Sequence, residues 1–432
     1  MKIQARKQRI DMKHNFHRTL ALVLALTCLL GLGACKKDKA DGPDTPKNSA
    51  QAETTPTPEP TPDVVPDDAQ PTDPPVPLVP WPTDAVVEHL FFHPVIAYPK
   101  WAFHDCGASE SERYGLDDWM VTVDEYNKIL QSVYDNNYVI VNMNDVWSEY
   151  TTDSGEVRMR RNTLMIPQGK KPLVISFDDT NYYPYMLQQG FTSKLVLGQD
   201  GDVWAECTDP YTKQTFLTQD LDAITILDKF VKEHPDFSLN GVKGCLSLTG
   251  YEGILGYRTQ NDIDIAADDP RRPAFDANRQ AEIDAVKPII QRLKETGWYF
   301  GSHTWGHIRL STRPTESIKR DTLRWAEEVG SLVGPTQILF YPHGARPDGD
   351  NDVTQTGPQF KWLHSQGFRI FASVGISSYE KCKSDINAVI CDRLHPDGTT
   401  LRSGKSLARY QQFYNAKEII DLSVRPPLGT TW

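Results

Sequence analysis

The chain reads LVISFDDT at residues 173–180, where an apolar run leads directly into Asp178 and Asp179. A short apolar run of this kind predicts a buried strand. Successive residues of a strand face opposite sides, so the two acids can share a site only if the chain bends where the strand ends. Two carboxylates there can divide labour, one as a metal ligand and one as a general base. A solvated turn without a chemical role is the alternative.

A second segment reads WYFGSHTWGH at residues 298–307 and places His303 and His307 after another predicted strand. Histidines at i and i+4 lie on one face if the segment turns helically, and they can then converge on one metal ion. Together with Asp179 they form a set of two histidines and one carboxylate. Such a set suits Zn²⁺, with Co²⁺, Ni²⁺ and Fe²⁺ as alternatives.

Predicted strands alternate with helical patterns from about Ala85 onward. The other strands are expected at Leu90–Ala97, Tyr138–Val141, Val242–Leu248, Trp298–Ser302, Ile338–Tyr341 and Phe368–Val374, and Ile419–Val424 is expected to close the domain. Helices are expected from Thr122 and over Asp220–Val231, Asp276–Lys294 (kinked or interrupted at Pro288), Thr315–Val329 and Gln355–Ser365. This alternation predicts a mostly parallel sheet, open or closed into a barrel, with an active site at the C-terminal strand ends.

These motifs resemble those of the polysaccharide deacetylase family, carbohydrate esterase family 4, also known as the NodB-homology domain. Ser176–Thr180 is similar to its Thr-Phe-Asp-Asp-Gly motif, and His303–His307 to its His-Ser/Thr-x-x-His motif. Leu339–Gly344 resembles its third motif, and the likeness extends over about Phe91–Val424. The resemblance implies an α/β fold, a distorted (β/α)₇ barrel, here with an inserted hairpin at Phe191–Phe216.

The resemblance also implies roles for the first two motifs. Asp178 would be the general base, while Asp179, His303 and His307 would hold a divalent metal ion, Zn²⁺ before Co²⁺ or Ni²⁺. An arginine that orients the base is often found where Phe340 stands. Arg346 is a possible substitute.

Further expectations concern the substrate side of the site. Tyr341 and His343 lie in the third motif, where a backbone N–H near His343 would help to stabilise an oxyanion. Tyr251 lies in a glycine-rich segment after a strand and could stack on sugar rings, or simply pack within a turn. His395 is the candidate general acid, although its surroundings, residues 392–398, read as a turn.

The N-terminus resembles a bacterial lipoprotein signal. Basic residues precede the apolar run Leu20–Leu32, which is too short for a mature membrane span, and LGAC at residues 32–35 resembles a lipobox. We expect a signal peptide at residues 1–34, lipid on Cys35, a disordered Pro/Thr-rich linker at residues 35–84 and a catalytic domain at residues 85–432. A simple secretory signal with an incidental cysteine is the alternative.

Composition narrows the class of partner. The net charge is −11, and about −16 once the expected signal peptide, with six basic and one acidic residue, is removed, since 40 Lys/Arg and 56 Asp/Glu then remain. This charge disfavours nucleic acid and anionic lipid and suits a neutral or cationic polymer, with solubility alone as the alternative explanation. Export permits disulfides, and Cys382 with Cys391 could close a short loop. We expect a monomer, anchored to the membrane by its lipid, that removes N-acetyl groups from peptidoglycan or a chitin-like glycan at the cell surface. The alternatives are an O-acetyl esterase and a catalytically impaired glycan-binding protein.

Overall fold

A computed structural model describes residues 76–349, 355–376, 378–383, 387–402 and 407–427. All of them belong to one compact unit, Asp73–Trp432. The expected signal peptide and Cys35 lie outside the described residues, as does most of the expected linker. Within these ranges, the structure has no helix that is both long and apolar enough to cross a membrane.

The strands of the described ranges are β1 Leu78–Pro80, β2 Glu88–Phe92, β3 Tyr138–Ile140, β4 Trp147–Thr151, β5 Val157–Arg161, β6 Met165–Pro167, β7 Lys171–Asp178, β8 Lys194–Leu197, β9 Val203–Thr208, β10 Thr215–Thr218, β11 Cys245–Leu248, β12 Tyr299–Ser302, β13 Ile338–Phe340, β14 Ile370–Val374, β15 Tyr379–Lys383 and β16 Ala388–Arg393. The α-helices are α1 Glu110–Trp119, α2 Val123–Asp135, α3 Met143–Val146, α4 Pro184–Gln188, α5 Ala223–Glu233, α6 Arg272–Glu295, α7 Thr315–Trp325, α8 Ser331–Val333, α9 Pro358–Ser365, α10 Gly398–Arg402, α11 Leu407–Tyr410 and α12 Ala416–Ile419.

Seven parallel strands form a barrel in the order β2-β7-β11-β12-β13-β14-β16. The ring closes where β16 returns to β2: the Leu394 amide donates to the His89 carbonyl at 2.9 Å, and the Phe91 amide donates to the Leu394 carbonyl at 2.9 Å. The predicted seven-stranded α/β barrel is therefore confirmed.

Strand β7 is buried on both faces, which explains its nearly continuous apolar sequence. Leu173, Ile175 and Phe177 pack in the cluster that includes residues of the surrounding helices. Val174 faces the other way and packs with residues of neighbouring barrel strands. By the two-residue period of a strand, Asp178 shares the side of Val174, so it lies at the inner end of the barrel strand.

The remaining strands lie outside the barrel ring. Strand β3 pairs with the start of β7, and β15 runs antiparallel to β16. The segment expected as an inserted hairpin contains three antiparallel strands, β8, β9 and β10. Strand β1 pairs with β6, although residues 78–80 were expected within the linker. Its single proline, Pro80, is compatible with an edge strand, which has one side without ladder partners.

Several sequence-based expectations about elements are wrong. Ile419–Val424 does not form a closing strand, because α12 ends at Ile419 and a turn follows. Closure is made instead by β16, whose polar end at Asp392 and Arg393 was interpreted as a turn. Helix α6 continues through Pro288, which is exposed, so water can reach the carbonyl that the proline leaves unpaired.

The cysteines of the described ranges are free thiols, including Cys382 and Cys391. These two lie on the antiparallel strands β15 and β16 but are not opposite each other: Cys382 faces Val389 and Cys391 faces Glu380. The suggested Cys382–Cys391 disulfide is therefore absent from this structure.

Candidate active site

The two adjacent acids share one site because the backbone turns between them. Asp178 is the last residue of β7, and Asp179 follows in the left-handed region with φ at 59°. This conformation is uncommon for residues other than glycine, although aspartate tolerates it better than most. It supplies the bend that the sequence requires, so that both carboxylates line one cavity.

The Asp178 carboxylate is held by Arg393, the last residue of β16. The two guanidinium Nη atoms donate to its two oxygens at 2.8 Å each. Arg393 is 0% exposed, and its guanidinium lies 4.1 Å from the ring centre of Phe91 and 4.4 Å from that of Phe340. Burial, the largest single effect, would raise the pKa of Asp178, but the charge and hydrogen bonds of Arg393, together with the nearby His303 and His93, outweigh it and hold the pKa well below its usual range.

The sequence did not identify Arg393 as the residue that orients Asp178. Arg346, the candidate substitute, instead lies 3.4 Å from the Asp392 carboxylate. Phe340 contributes its ring beneath the guanidinium of Arg393. The orienting charge thus comes from another strand, 215 residues away from Asp178, and no local motif marked it.

His303 and His307 converge through a loop, and the expected helical turn is wrong. Thr304 and His307 both have positive φ, at 60° and 47°. Asp321 of α7 holds the loop, because its carboxylate accepts from the amides of Trp305 at 2.7 Å and Gly306 at 2.8 Å. The two imidazole ring centres lie 4.9 Å apart.

Asp179, His303 and His307 form a cluster whose ligand atoms all lie within 4.8 Å of one another, so it could hold a metal ion. Nδ1 of His303 must donate to the Phe340 carbonyl at 3.0 Å, since a carbonyl only accepts, and this leaves Nε2 free as a ligand. Burial lowers the pKa of His303, which keeps its ring in the neutral form that binds metals. The chemistry of this donor set fits a divalent cation such as Zn²⁺.

Two tyrosines support the Asp179 carboxylate. The Tyr183 hydroxyl donates to Oδ1 of Asp179 at 2.9 Å and lies 2.6 Å from the Thr249 hydroxyl. The ring of Tyr251 stacks on that of Tyr183 with the centres 4.8 Å apart. Tyr251 is not one of the described residues that line the cavity. Its ring contacts Tyr183, which in turn donates to Asp179.

His93, which the sequence analysis missed, lies beside His395 in the cavity. Nδ1 of His93 is 3.1 Å from both the Trp119 carbonyl and Nε2 of His395. Nδ1 of His395 is 2.9 Å from Asp397. Because the Trp119 carbonyl only accepts, Nδ1 of His93 carries a hydrogen, and its Nε2 is directed towards Asp179, 4.0 Å from Oδ2. Burial, with His395 nearby, lowers the pKa of His93 to about 4.

The third motif contributes two residues of different kinds. His343 is exposed at the cavity with φ at 58°, and its ring centre lies 4.5 Å from that of His307. The residues around the cavity still remove part of the hydration of this ring, and that desolvation, followed by the charge of His307, lowers the pKa of His343 to about 4. Tyr341 also lines the cavity, but its hydroxyl is directed to the side-chain oxygen of Gln355 at 2.6 Å. That hydroxyl is therefore engaged within the protein.

The cavity at these strand ends has a volume of about 480 Å³ and contains both aspartates, His303, His307, His343 and His395. Another cavity, of about 560 Å³, is lined by Lys243 and Gly297, which precede β11 and β12. It therefore opens at the opposite end of the barrel strands. Some of its charged groups are paired with each other, as in the 2.6 Å contact between Lys243 and Asp228 and the 3.5 Å contact between Lys232 and Asp202. The first cavity is the candidate active site.

Residues 274–357 match the sequence model of the polysaccharide deacetylase family. The match supports a deacetylase. It includes the two histidines and the third motif, and it excludes Asp178, Asp179 and Arg393. No curated protein matches the chain.

Solved structures with some likeness include the deacetylase PplD of Streptococcus pyogenes in complex with acetate, at 12% identity and a TM-score of 0.39, covering 76% of this chain and 99% of that one. A polysaccharide deacetylase of Bacillus cereus has 11% identity and a TM-score of 0.39, with 76% and 69% covered. Both TM-scores are below 0.5, so no residue role is transferred from these structures.

Tyr183→Phe should weaken metal binding without emptying the site. It removes the hydroxyl that donates to Asp179 at 2.9 Å and keeps the aromatic stack. Losing such a support to a ligand typically costs about 10–100-fold in affinity, so we expect the dissociation constant for Zn²⁺ to rise by about that factor. Competitive titration against a chromophoric chelator measures it.

The matched control is Tyr134→Phe, whose hydroxyl also donates to an aspartate, Asp236, at 3.0 Å but outside the cavity. Its Zn²⁺ affinity should equal that of the parent chain. An unchanged affinity in Tyr183→Phe as well would contradict the supporting role.

Proposed function

We propose that the chain is a metal-dependent hydrolase that removes N-acetyl groups from a polysaccharide. One observation carries the proposal. The ionised carboxylate of Asp178, which Arg393 holds in place, lies in the same cavity as the candidate metal cluster of Asp179, His303 and His307. Nε2 of His303 lies 3.7 Å from Oδ2 of Asp178, so the base and the cluster are in reach of a common small molecule. The family match at residues 274–357 supports the same reaction.

The metal would be held by Asp179, His303 and His307. When bound, it supplies Lewis acidity and lowers the pKa of water towards neutrality. Asp178 already makes two hydrogen bonds with Arg393, which orient its carboxylate. It would therefore act as the base and take a proton from the attacking water. The backbone N–H near His343 would help to stabilise the oxyanion of the tetrahedral intermediate.

The His93–His395 pair would supply the proton that the leaving amine needs. Nδ1 of His395 contacts Asp397, and its Nε2 contacts His93, so neither ring nitrogen of His395 is free. Nε2 of His93 is the ring nitrogen directed towards Asp179. A proton that His93 takes up on Nε2 would pass to the leaving amine, and the ring would return to its neutral form with the hydrogen on Nδ1, which donates to the Trp119 carbonyl. Because burial lowers the pKa of His93 to about 4, that proton is readily given up. His395, whose Nε2 lies beside Nδ1 of His93, would hold the donor ring in position.

This proposed proton donor favours an amide over an ester as the substrate. An amine leaves a tetrahedral intermediate only after its nitrogen gains a proton, whereas an alcohol can leave with less assistance. The linked His93, His395 and Asp397 side chains meet that need. Their ordered arrangement also argues against a protein that only binds glycans.

We further propose that the enzyme acts at the cell surface, anchored by lipid on Cys35. The support is the basic and apolar N-terminus followed by LGAC at residues 32–35. A monomer that acts on peptidoglycan or a chitin-like glycan fits this location.

Asp178→Asn and Asp179→Asn separate the two carboxylate roles. Asparagine keeps the shape of aspartate but cannot take a proton, so Asp178→Asn should retain its metal and lose about 10²-fold or more in kcat. Asp179→Asn should lose most of its metal. Metal content by elemental analysis and acetate release from acetylated glycans measure the two effects. Metal loss in Asp178→Asn with retention in Asp179→Asn would reverse the assignment, and full activity in both would remove them from the site.

Arg393→Met should move the pH dependence of the reaction. Without the arginine, burial remains and raises the pKa of Asp178, so the base becomes protonated at a higher pH. The acid limb of the kcat/KM–pH profile should then shift upward by about one to three pH units. Arg393→Lys, which keeps the positive charge, should shift it less. An unmoved acid limb in folded Arg393→Met would contradict the electrostatic role.

His93→Gln should lose about 10²-fold or more in kcat while it keeps its metal, since general acids contribute on that scale. His395→Gln should lose activity to a smaller extent because it acts through His93. The control is His364→Gln, whose ring contacts the Asn387 carbonyl outside the cavity. If His395→Gln is the more damaging change, His395 itself transfers the proton.

A further inference from the structure

We propose that Trp119 forms a binding subsite for a pyranose ring next to the sugar that is deacetylated. The substrate would thus be an oligosaccharide or polysaccharide of neutral or cationic pyranoses. This inference rests on the proposed function, because that function places an N-acetylated sugar at the metal cluster. The subsite is a separate feature, formed by α1, an element that contributes none of the catalytic groups.

Trp119 is a large aromatic residue that remains 53% exposed. It lines the same cavity as Asp178, Asp179 and His395. An aromatic face beside a few convergent polar groups is a common way to bind a ligand that has both apolar and polar parts. A pyranose has this character, with C–H groups on its faces and hydroxyl groups at its edge.

Buried ion pairs fix the backbone on both sides of the exposed ring. Asp117 is 2% exposed, and it accepts from Arg402 and Arg425 at 2.8 Å each. Arg425 also donates to the Met120 carbonyl at 3.0 Å. The exposure of the indole is therefore not a sign of a loose helix end. A fixed aromatic surface loses little conformational entropy when a ligand binds it.

The Trp119 backbone also sets the position of the ring relative to the reaction. Its carbonyl accepts from Nδ1 of His93 at 3.1 Å, and Nε2 of the same imidazole is directed towards Asp179. One hydrogen bond thus connects the indole-bearing residue to the proposed proton donor. A sugar ring on the indole would lie beside the ring whose nitrogen receives that proton, as consecutive units of one chain do.

A second apolar residue of the cavity and the net charge of the chain further narrow the class of ligand. Val374 lines the same cavity as Trp119. The cavity therefore offers aliphatic as well as aromatic surface. The net charge of −11 disfavours a polyanionic chain. A neutral glycan, or one whose amines deacetylation has already exposed, suits this surface.

The test measures binding separately from turnover. The full chain with Asp178→Asn, loaded with Zn²⁺, is titrated calorimetrically with N-acetylglucosamine and its linear β-1,4-linked tetramer. Adding Trp119→Ala should weaken tetramer binding by about tenfold, because it removes a stacked aromatic ring, and should leave monosaccharide binding unchanged. Trp119→Phe should recover most of the loss. The control is Leu323→Ala, an equally exposed apolar residue at 55% that does not line the cavity.

The outcomes separate the two proposals. Equal tetramer affinity with and without Trp119→Ala, in chains of matching thermal stability, would overturn the subsite. If the parent chain also releases acetate from the tetramer, the proposed function survives that failure. If the parent releases no acetate from any acetylated glycan, while tetramer binding still depends on Trp119, the subsite stands and the deacetylase proposal fails.

Discussion

The ion pair between Arg393 and Asp178 is the interaction on which the site depends. Both side chains are almost fully buried, so each charge has lost its hydration and relies on the other. Removing one partner of such a pair typically costs about 3–5 kcal/mol, because the remaining charge is left uncompensated. The pair also keeps a buried carboxylate ionised, as the role proposed for Asp178 requires. The rings of Phe91 and Phe340 exclude water from the guanidinium, and each makes a cation–π contact with it.

Closure of the barrel and assembly of the site follow from the same register. Leu394, next to Arg393, makes the two hydrogen bonds that join the end of β16 to β2. His395 follows Leu394, and His93 follows β2. Closing the barrel therefore brings Nδ1 of His93 to 3.1 Å from Nε2 of His395. A slip of one residue would turn Arg393 away from Asp178, because strand side chains alternate between faces. One strand pairing therefore fixes both the proposed base and the His93–His395 pair.

The sequence predicted the parts of this structure that local patterns encode. The apolar runs gave most barrel strands within a few residues, and the acids at the end of β7 and the two histidines after β12 were recognisable from their spacing. Arg393 and His93 were not, because their partners lie 215 and 302 residues away in sequence, and each looks like an ordinary polar residue at the end of a strand. Strand β16 was missed because Asp392 and Arg393 at its end resemble a turn. Pairing between residues far apart in sequence determines this strand and the positions of Arg393 and His93, and such pairing leaves little trace in a single sequence.

The convergence of the candidate metal ligands was predicted, but the backbone conformation that achieves it was not. A helical turn would have brought His303 and His307 together at no conformational cost, whereas Asp179, Thr304, His307 and His343 all adopt positive φ. Such conformations cost of order 1 kcal/mol or more each and persist only where the surroundings enforce them. Asp321 enforces the histidine loop, and the Tyr183 hydroxyl restrains Asp179. Because these restraints come from α7 and from the segment after β7, the ligand geometry is set by the folded barrel before any cation binds. Because the three ligands are already held together, less conformational entropy is lost when a cation binds.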